Sequence, residues 1–217
     1  MNVITFVTAY DLATNSNRAI AEDLNSIPYL TLFEKKATSK NLKELLQKHE
    51  NLPVFVMSHG EQAYFYDNNE DIALDSESAK TLQLLRNRSI YVFACHTAAK
   101  LAPKAAQKGT IYWGYNFQIT APDEQKEVKH LFVNLFLFIY NYFHLSTETT
   151  KIENFLVDLE QKCEETNYLL DQIYEQYPAI CTSETYRCVL HIWSRLRVFV
   201  PNRAILKHPK APDDLFY

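Results

Sequence analysis

Two segments decide the fold of this chain: Val54-Phe55-Val56-Met57-Ser58-His59-Gly60 and Ile90-Tyr91-Val92-Phe93-Ala94-Cys95-His96-Thr97. Each is an apolar run, rich in β-branched and aromatic residues, that stops at a histidine or a cysteine. Runs of this kind are typical of buried strands in a parallel sheet. In open α/β sheets, functional sites form just beyond the carboxyl ends of the strands. We therefore expect His59 and Cys95, 36 residues apart in the sequence, to lie side by side at one edge of a sheet.

A cysteine beside a histidine is the arrangement that a thiol nucleophile and its base require. Taken singly, a cysteine after an apolar run is usually a small buried hydrophobic residue, and a single histidine is usually structural. The joint pattern is more specific, because two strands end at reactive residues with a helix between them. His96 is a poor candidate for the base, because successive residues beyond a strand end point in opposite directions. Cys95 and His59 are thus the predicted catalytic dyad.

The order of apolar strand, Ser58-His59-Gly60, apolar strand and Ala94-Cys95 resembles the caspase-like cysteine peptidases. This superfamily includes caspases, metacaspases, separases, gingipains and the bacterial CHAT proteases. The resemblance covers roughly residues 1–143. A caspase signature has glutamine two residues before the cysteine and glycine two residues after it. Phe93 and Thr97 stand at those positions here, so the bacterial CHAT- or caspase-like branch fits better than the caspases proper.

The resemblance implies a caspase-like three-layer α/β/α sandwich with a mostly parallel sheet. It also implies that Cys95 attacks a peptide carbonyl to form a thioester, while His59 protonates the leaving amine and then activates water. The family-like donors to the oxyanion are the backbone N–H groups of Gly60 and Cys95. Glu61 could orient the site, but no third catalytic residue is predicted. No cofactor and no metal ion are expected.

The substrate-binding residues predicted from the sequence are Phe93, Trp113, Gly114 and Tyr115. Members of the caspase type hold an aspartate side chain with an arginine near the fifth strand and a glutamine before the nucleophile. Gly114 and Phe93 occupy those positions here, and neither pairs with a carboxylate. Leaving a buried carboxylate unpaired costs several kcal/mol. We therefore predict poor turnover after aspartate and better turnover after neutral residues held in an apolar pocket.

The composition argues against several other classes of protein. The net charge of −4 and the pI near 6.0, without a basic cluster among aromatic residues, make nucleic acid an unexpected partner. With 3 glycines the chain has neither a GxGxxG motif nor a P-loop. Its most apolar segment, 131–143, is shorter than the roughly 20 residues of a membrane span, so no membrane insertion is expected. The four cysteines form no CxxC pair and no signal peptide is recognised, which favours a reducing cytoplasm.

Strand-like and helix-like patterns alternate through residues 1–145, which predicts an α/β catalytic core. Its first helix is predicted over residues 18–24, after a polar loop at 14–17. Its last helix is expected to open near Pro122, to carry the apolar segment and to pack on the sheet. Residues 146–217 change character, with apolar residues at helical spacing in 152–163 and 186–196. They predict a mainly helical C-terminal extension packed on the core.

The function predicted from these observations is a cytoplasmic cysteine endopeptidase that cleaves a specific protein partner. By analogy with compact bacterial enzymes of this type, that partner is a gasdermin-like pore former or another effector of antiviral defence. One alternative is a non-protease acyl hydrolase that uses the same dyad. A second is a non-catalytic caspase-like scaffold that binds partners through the helical extension. A flavodoxin-like small-ligand binder is the third, and the oligomeric state is not predicted.

Overall fold

Two sheets organise the protein in this computed structural model, which describes residues 2–24 and 26–213. The strands are β1 (Ile4–Val7), β2 (Thr31–Phe33), β3 (Val54–Met57), β4 (Gly60–Glu61), β5 (Tyr64–Tyr66), β6 (Ile72–Asp75), β7 (Ser89–Phe93), β8 (Ile111–Tyr115) and β9 (Leu196–Phe199). The main sheet has the order β2-β1-β3-β7-β8-β9. Its first five strands run parallel, and β9 pairs antiparallel with β8. The small sheet, β4-β5-β6, is antiparallel.

Helices cover both faces of the main sheet. They are α1 (Leu12–Ala21), α2 (Ser39–Lys48), α3 (Ala79–Leu85), α4 (Leu101–Ala106), α5 (Lys129–Tyr142), α6 (Thr149–Gln176) and α7 (Ser183–Ser194). Alternate residues of the strands enter two separate hydrophobic clusters. Phe55 and Tyr91 belong to the cluster with α1, α5, α6 and α7, whereas Val56 and Val92 belong to the cluster with α2, α3 and α4. The central strands β3 and β8 carry no polar side chain on either face except the Tyr and Trp rings, because both of their faces are buried.

This architecture confirms the predicted fold class, a three-layer α/β/α sandwich with a mostly parallel sheet and a mainly helical C-terminal region. That region also completes the sheet, because β9 lies within residues 146–217. Its first helix packs on the core through aromatic rings: Phe155 of α6 meets Trp113 of β8 edge to face, with centroids 5.7 Å apart. The predicted boundary at residue 145 falls between α5 and α6, and its standing as a domain boundary stays a prediction.

The small sheet supports the loop that joins β1 to α1. Asn68, in the turn after β5, accepts a hydrogen bond from Ala9 N–H through its side-chain oxygen at 2.7 Å. The neighbouring Asp67 is buried, and its carboxylate accepts N–H groups from Ser39, Asn69 and Asp71. Three backbone donors compensate this buried charge and fix the turn against two other loops.

Two helices begin elsewhere than the sequence predicts. α1 starts at Leu12, because Asp11 caps it in a box with Thr14. The apolar helix, α5, starts at Lys129 instead of near Pro122, since residues 116–128 first cross the carboxyl edge of the sheet as an extended loop. α5 packs in the core as expected, with Phe132 and Phe136 fully buried. In residues 2–24 and 26–213, no helix combines the length and hydropathy needed to cross a membrane.

Candidate active site

The register of β3 and β7 brings His59 and Cys95 to equivalent positions at the carboxyl edge of the sheet. Paired residues in the two strands are 36 positions apart throughout, from Val54 with Ile90 to Met57 with Phe93. His59 and Cys95 have the same separation, and each lies two residues beyond the last pair. The hydrogen bond from Ser58 N–H to Phe93 O, 3.1 Å long, continues the parallel ladder toward them. Sequence reasoning therefore placed both residues at the correct edge.

The Cys95 thiol is partly buried beneath the loop that follows β8. Ile119 N–H donates to Cys95 Sγ at 3.4 Å, and the thiol donates to Ile119 O at 3.8 Å. Burial raises the pKa of this thiol, and the negative charge of Glu61 adds to the rise. The Ile119 N–H and the positive charge of Arg195 act in the opposite direction, but burial dominates. Among the described residues the hydrogen bonds of Sγ go to Ile119 and to the backbone of Cys95 itself, and none goes to His59. With its pKa raised, the thiol is protonated at neutral pH in this conformation.

His59 is held by a residue that the sequence analysis did not select. Its Nε2 lies 2.6 Å from Asp11 Oδ2, across the carboxyl ends of β1 and β3. The Tyr10 ring packs beside the imidazole, with centroids 5.7 Å apart. Burial alone raises the pKa of the Asp11 carboxyl, but hydrogen bonds from the Thr14 backbone and side chain, and then from His59, hold it below its ordinary value. Asp11 is therefore a carboxylate at neutral pH.

Gly60 fills a position where no side chain fits. A Cβ there would lie 2.7 Å from the Thr97 methyl group, 2.9 Å from Ala94 Cβ and 2.9 Å from Cys95 O. The end of β3 can approach the end of β7 this closely only because Gly60 has no side chain. The atoms that exclude a side chain at this position therefore belong to the protein itself.

The two predicted oxyanion donors are not consumed by the sheets. Tyr66 N–H donates to His59 O, which makes Gly60 and Phe65 a non-hydrogen-bonded pair and leaves Gly60 N–H outside the ladder. Within the part of the chain that the structure describes, no backbone carbonyl accepts from Cys95 N–H. Both groups can therefore donate to an added carbonyl oxygen.

The predicted substrate-binding residues do not line an opening beside Cys95. Phe93 is 2 % exposed, while Trp113 and Tyr115 are fully buried in the cluster beneath α5, α6 and α7. Gly114 is buried as well, with Tyr112 Cε1 at 2.6 Å from where its Cβ would be. Aromatic residues at the end of a strand are compatible with either a buried core or a binding pocket. In this protein the C-terminal helices pack over them. The predicted apolar pocket is thus replaced by core packing.

A cavity is lined by chain neighbours of Asp11 and of the loop over Cys95, although neither His59 nor Cys95 lines it. This cavity, of about 390 Å³, separates the first turn of α1, residues 120–125 and the first turn of α7. Leu12, which follows Asp11 and is 87 % exposed, forms one wall. Thr120 follows the Ile119 that covers Cys95, so this cavity borders the covering loop directly.

Helix α7 anchors that loop. Thr120 N–H donates to His191 Nδ1 at 3.2 Å, and Thr185 donates to Asp123 at 2.8 Å. Burial, followed by the charges of Arg195 and Arg187, lowers the pKa of His191 to about 4, so its ring is neutral at pH 7 and accepts this bond. The Arg195 guanidinium donates to Gln118 O and lies 5.8 Å from the centroid of the Phe117 ring. The C-terminal region therefore fixes the part of the chain that covers the thiol.

No protein-family model matches the chain, and neither a curated protein nor a solved structure is significantly similar to it. Across the described residues, no group of three or more His, Cys, Asp and Glu side chains is arranged to hold a metal ion. All four cysteines are free thiols, and Cys163, Cys181 and Cys188 are buried. The function must therefore be argued from the geometry around Cys95.

Proposed function

We propose that the protein is a cysteine endopeptidase of the caspase-like kind, with Cys95 as nucleophile and His59 as base. The observation that carries this proposal is the common register of the two residues, with a carboxylate bound to the far side of the histidine ring. A histidine oriented in this way by a third group is the arrangement that activated nucleophiles share. A protein that only bound partners would not require this alignment.

The proposed mechanism depends on which nitrogen of the His59 ring has no partner in the fold. Because Asp11 occupies Nε2, Nδ1 is the ring nitrogen left to accept the Cys95 proton. As the S–C bond to the substrate carbonyl forms, the proton moves from Sγ to Nδ1 and the carbonyl oxygen becomes an oxyanion. Gly60 N–H and Cys95 N–H are the donors we assign to that oxygen. His59 then protonates the leaving amine, and it later removes a proton from the water that hydrolyses the thioester.

In this proposal the loop at residues 117–120 limits access to Cys95 in the free enzyme, and it opens transiently so that the thiol reacts. Ile119 contacts the sulfur from both of its backbone polar groups, which is where a substrate would have to approach. Displacing residues 117–120 would expose the thiol and open the path from the cavity beside α1 to Cys95. We place the enzyme in the cytoplasm and its substrate among proteins, with a defence effector such as a gasdermin-like pore former as the analogue from the resembled family.

The proposal is tested in cells that express the wild-type chain, Cys95→Ala or His59→Ala. New protein N-termini are quantified by mass spectrometry, and purified proteins are treated with a library of peptidyl acyloxymethyl ketones. We expect a defined set of internal cleavages from the wild type and none from either variant. We also expect covalent labelling of Cys95 that depends on His59.

Two outcomes would replace the proposal. Labelling of Cys95 that needs His59, without any internal cleavage of a protein, would favour an acyl hydrolase that is not a protease. Neither cleavage nor His59-dependent labelling would favour a non-catalytic scaffold that binds through its helical region. Equal cleavage by the wild type and Cys95→Ala would exclude the assigned nucleophile.

A further inference from the structure

We propose that Asp11 is a positioning residue for His59, and that its carboxylate keeps the imidazole in the one tautomer that can deprotonate Cys95. This inference rests on the proposed function. It goes beyond the dyad, because it assigns a role to a residue at the end of a third strand. The observation that supports it is that the two oxygens of the Asp11 carboxylate have different partners. One oxygen accepts from Thr14, and the other lies against His59.

One oxygen of Asp11 is committed to helix α1. Oδ1 accepts from Thr14 N–H at 2.8 Å and from the Thr14 hydroxyl at 2.7 Å. The Thr14 hydroxyl oxygen in turn accepts from the N–H groups of Tyr10 and Asp11. This reciprocal capping box fixes the side-chain torsions of Asp11 and directs Oδ2 away from the helix.

The other oxygen is aimed at the histidine. Oδ2 lies 2.6 Å from His59 Nε2, slightly shorter than the roughly 2.7–2.9 Å of most charge-assisted N–H···O hydrogen bonds. A carboxylate can only accept, so Nε2 must carry a proton, and in the neutral ring Nδ1 then has the lone pair. During attack, Nδ1 takes the proton from Sγ, Nε2–H remains bonded to Asp11, and the carboxylate stabilises the imidazolium without becoming protonated.

The capping box makes the asparagine variant unusually informative. In Asp11→Asn, the amide oxygen must remain at the Oδ1 position, because Thr14 N–H can only donate to it. The amide nitrogen is then forced to face Nε2, and it also donates. His59 must place its proton on Nδ1 to accept this bond, which turns Nδ1 from an acceptor into a donor toward Cys95. The most conservative substitution is therefore the most damaging one for catalysis.

The serine variant separates this effect from the helix cap. Asp11→Ser retains a good N-cap residue but is too short to reach His59. His59 Nε2 is then left to water, and both tautomers remain accessible. We expect His59-dependent labelling of Cys95 by the peptidyl ketone to fall about tenfold or more in Asp11→Asn, and only about two- to fivefold in Asp11→Ser. A purely structural role predicts equal labelling rates in the two variants, because asparagine and serine are both good caps.

The experiment has two readouts on purified full-length protein. The first is the rate of Cys95 labelling in the wild type, Asp11→Asn, Asp11→Ser and His59→Ala. The second is long-range ¹H–¹⁵N NMR of the neutral His59 ring, which reports the tautomer directly and needs no substrate. We expect the Nε2–H form in the wild type and the Nδ1–H form in Asp11→Asn. Thr38→Ala, which removes the cap of α2, is the matched stability control and should leave both readouts unchanged.

The outcomes separate this inference from the proposed function. Slow labelling in His59→Ala together with wild-type labelling in Asp11→Asn would overturn the role of Asp11 and leave the dyad intact. The same tautomer in the wild type and Asp11→Asn would overturn it as well. If His59→Ala labelled as fast as the wild type, the proposed function and this inference would both fail.

Discussion

The two edges of the main sheet treat charged side chains in opposite ways. At the amino edge of β7, Arg88 is 5 % exposed and donates to three backbone carbonyls, those of Leu46, Glu50 and Leu52. At the carboxyl edge, the side chains of His59 and Asp11 are 38 % and 44 % exposed and share a single hydrogen bond. Burial lowers the pKa of Arg88 to about 10, which still leaves the guanidinium charged at neutral pH.

The difference indicates that the polar groups at the amino edge stabilise the fold, whereas those at the carboxyl edge are available for chemistry. The Arg88 guanidinium donates to carbonyls in the last turn of α2 and in the loop that follows it, so its hydrogen bonds stabilise the fold. At the carboxyl edge, one ring nitrogen of His59 and two backbone donors are left over after the fold is complete. Changes at the amino edge should therefore reduce stability, and changes at the carboxyl edge should reduce reactivity.

The largest expected effect on stability comes from Arg88→Met. This change removes three hydrogen bonds from a largely buried charged donor, which should cost about 3–5 kcal/mol of unfolding free energy. Urea denaturation measures the loss. His59→Ala, the change made for comparison at the carboxyl edge, breaks one partly exposed hydrogen bond and should cost no more than about 1 kcal/mol. Equal losses in the two variants would remove the distinction between the edges.

A smaller loss of unfolding free energy is expected from a substitution at Gly60. This residue lies at the carboxyl edge beside the candidate site, and it also allows the close approach of β3 to β7. In Gly60→Ala, the new methyl group would press on the Thr97 methyl group and on Cys95 O, which should cost about 1–3 kcal/mol. Thr97→Ser removes the nearest contact and should recover part of the loss in the double variant. Additive losses in this double-mutant cycle would show that the close approach of β3 to β7 is relieved in some other way.

The smallest effects should come from the two charges that act on the Cys95 thiol. Glu61→Gln removes a negative charge and should lower the pKa of Cys95, so that alkylation accelerates at pH 7. Arg195→Gln removes a positive charge and should raise that pKa, so that alkylation slows. Arg195→Lys keeps the charge and serves as the control for loosening of residues 117–119. Shifts of the same sign in the glutamine variants would contradict the assignment, and pH profiles of alkylation measure them.

Arg195 also bears on substrate choice. The expectation of poor cleavage after aspartate rested on the absence of a cation near Cys95, as judged from Phe93 and Gly114. The structure brings Arg195 close enough for its charge to act on the thiol, from 100 residues further along the chain. The preference for neutral residues stays a prediction, and peptide libraries assayed with the wild type and Arg195→Gln would show whether this cation binds an acidic side chain.

The sequence predicted most of the sheet and half of the site. A continuous apolar run such as Val54–Met57 predicts a strand directly, because strands buried on both faces are mostly apolar. The alignment of His59 with Cys95 followed from those strands alone. Asp11 was missed because the polar residues 14–17 favour a loop, while a capping box starts the helix before them.

The covering loop could not be predicted from local patterns. Its position depends on hydrogen bonds such as that from Thr120 to His191, whose partners are 71 residues apart. No periodicity in the sequence records such a contact. The same long-range packing explains why Phe93, Trp113 and Tyr115 are buried. Residues of the C-terminal helices pack over them, and local patterns in the sequence do not predict that contact.

The central claim is that His59 activates Cys95, and iodoacetamide alkylation of the native protein tests it most directly. Faster labelling of Cys95 than of Cys163, Cys181 and Cys188 does not by itself indicate activation, because those three thiols are buried and Cys95 is only partly buried. They serve instead as internal reporters of global opening. The informative comparison is Cys95 in the wild type against Cys95 in His59→Ala, followed by peptide mass spectrometry from pH 5 to 9. The account predicts a rate at least about tenfold lower at pH 7 in His59→Ala, with the three buried thiols unchanged. Equal Cys95 rates in the two proteins across this range would contradict it.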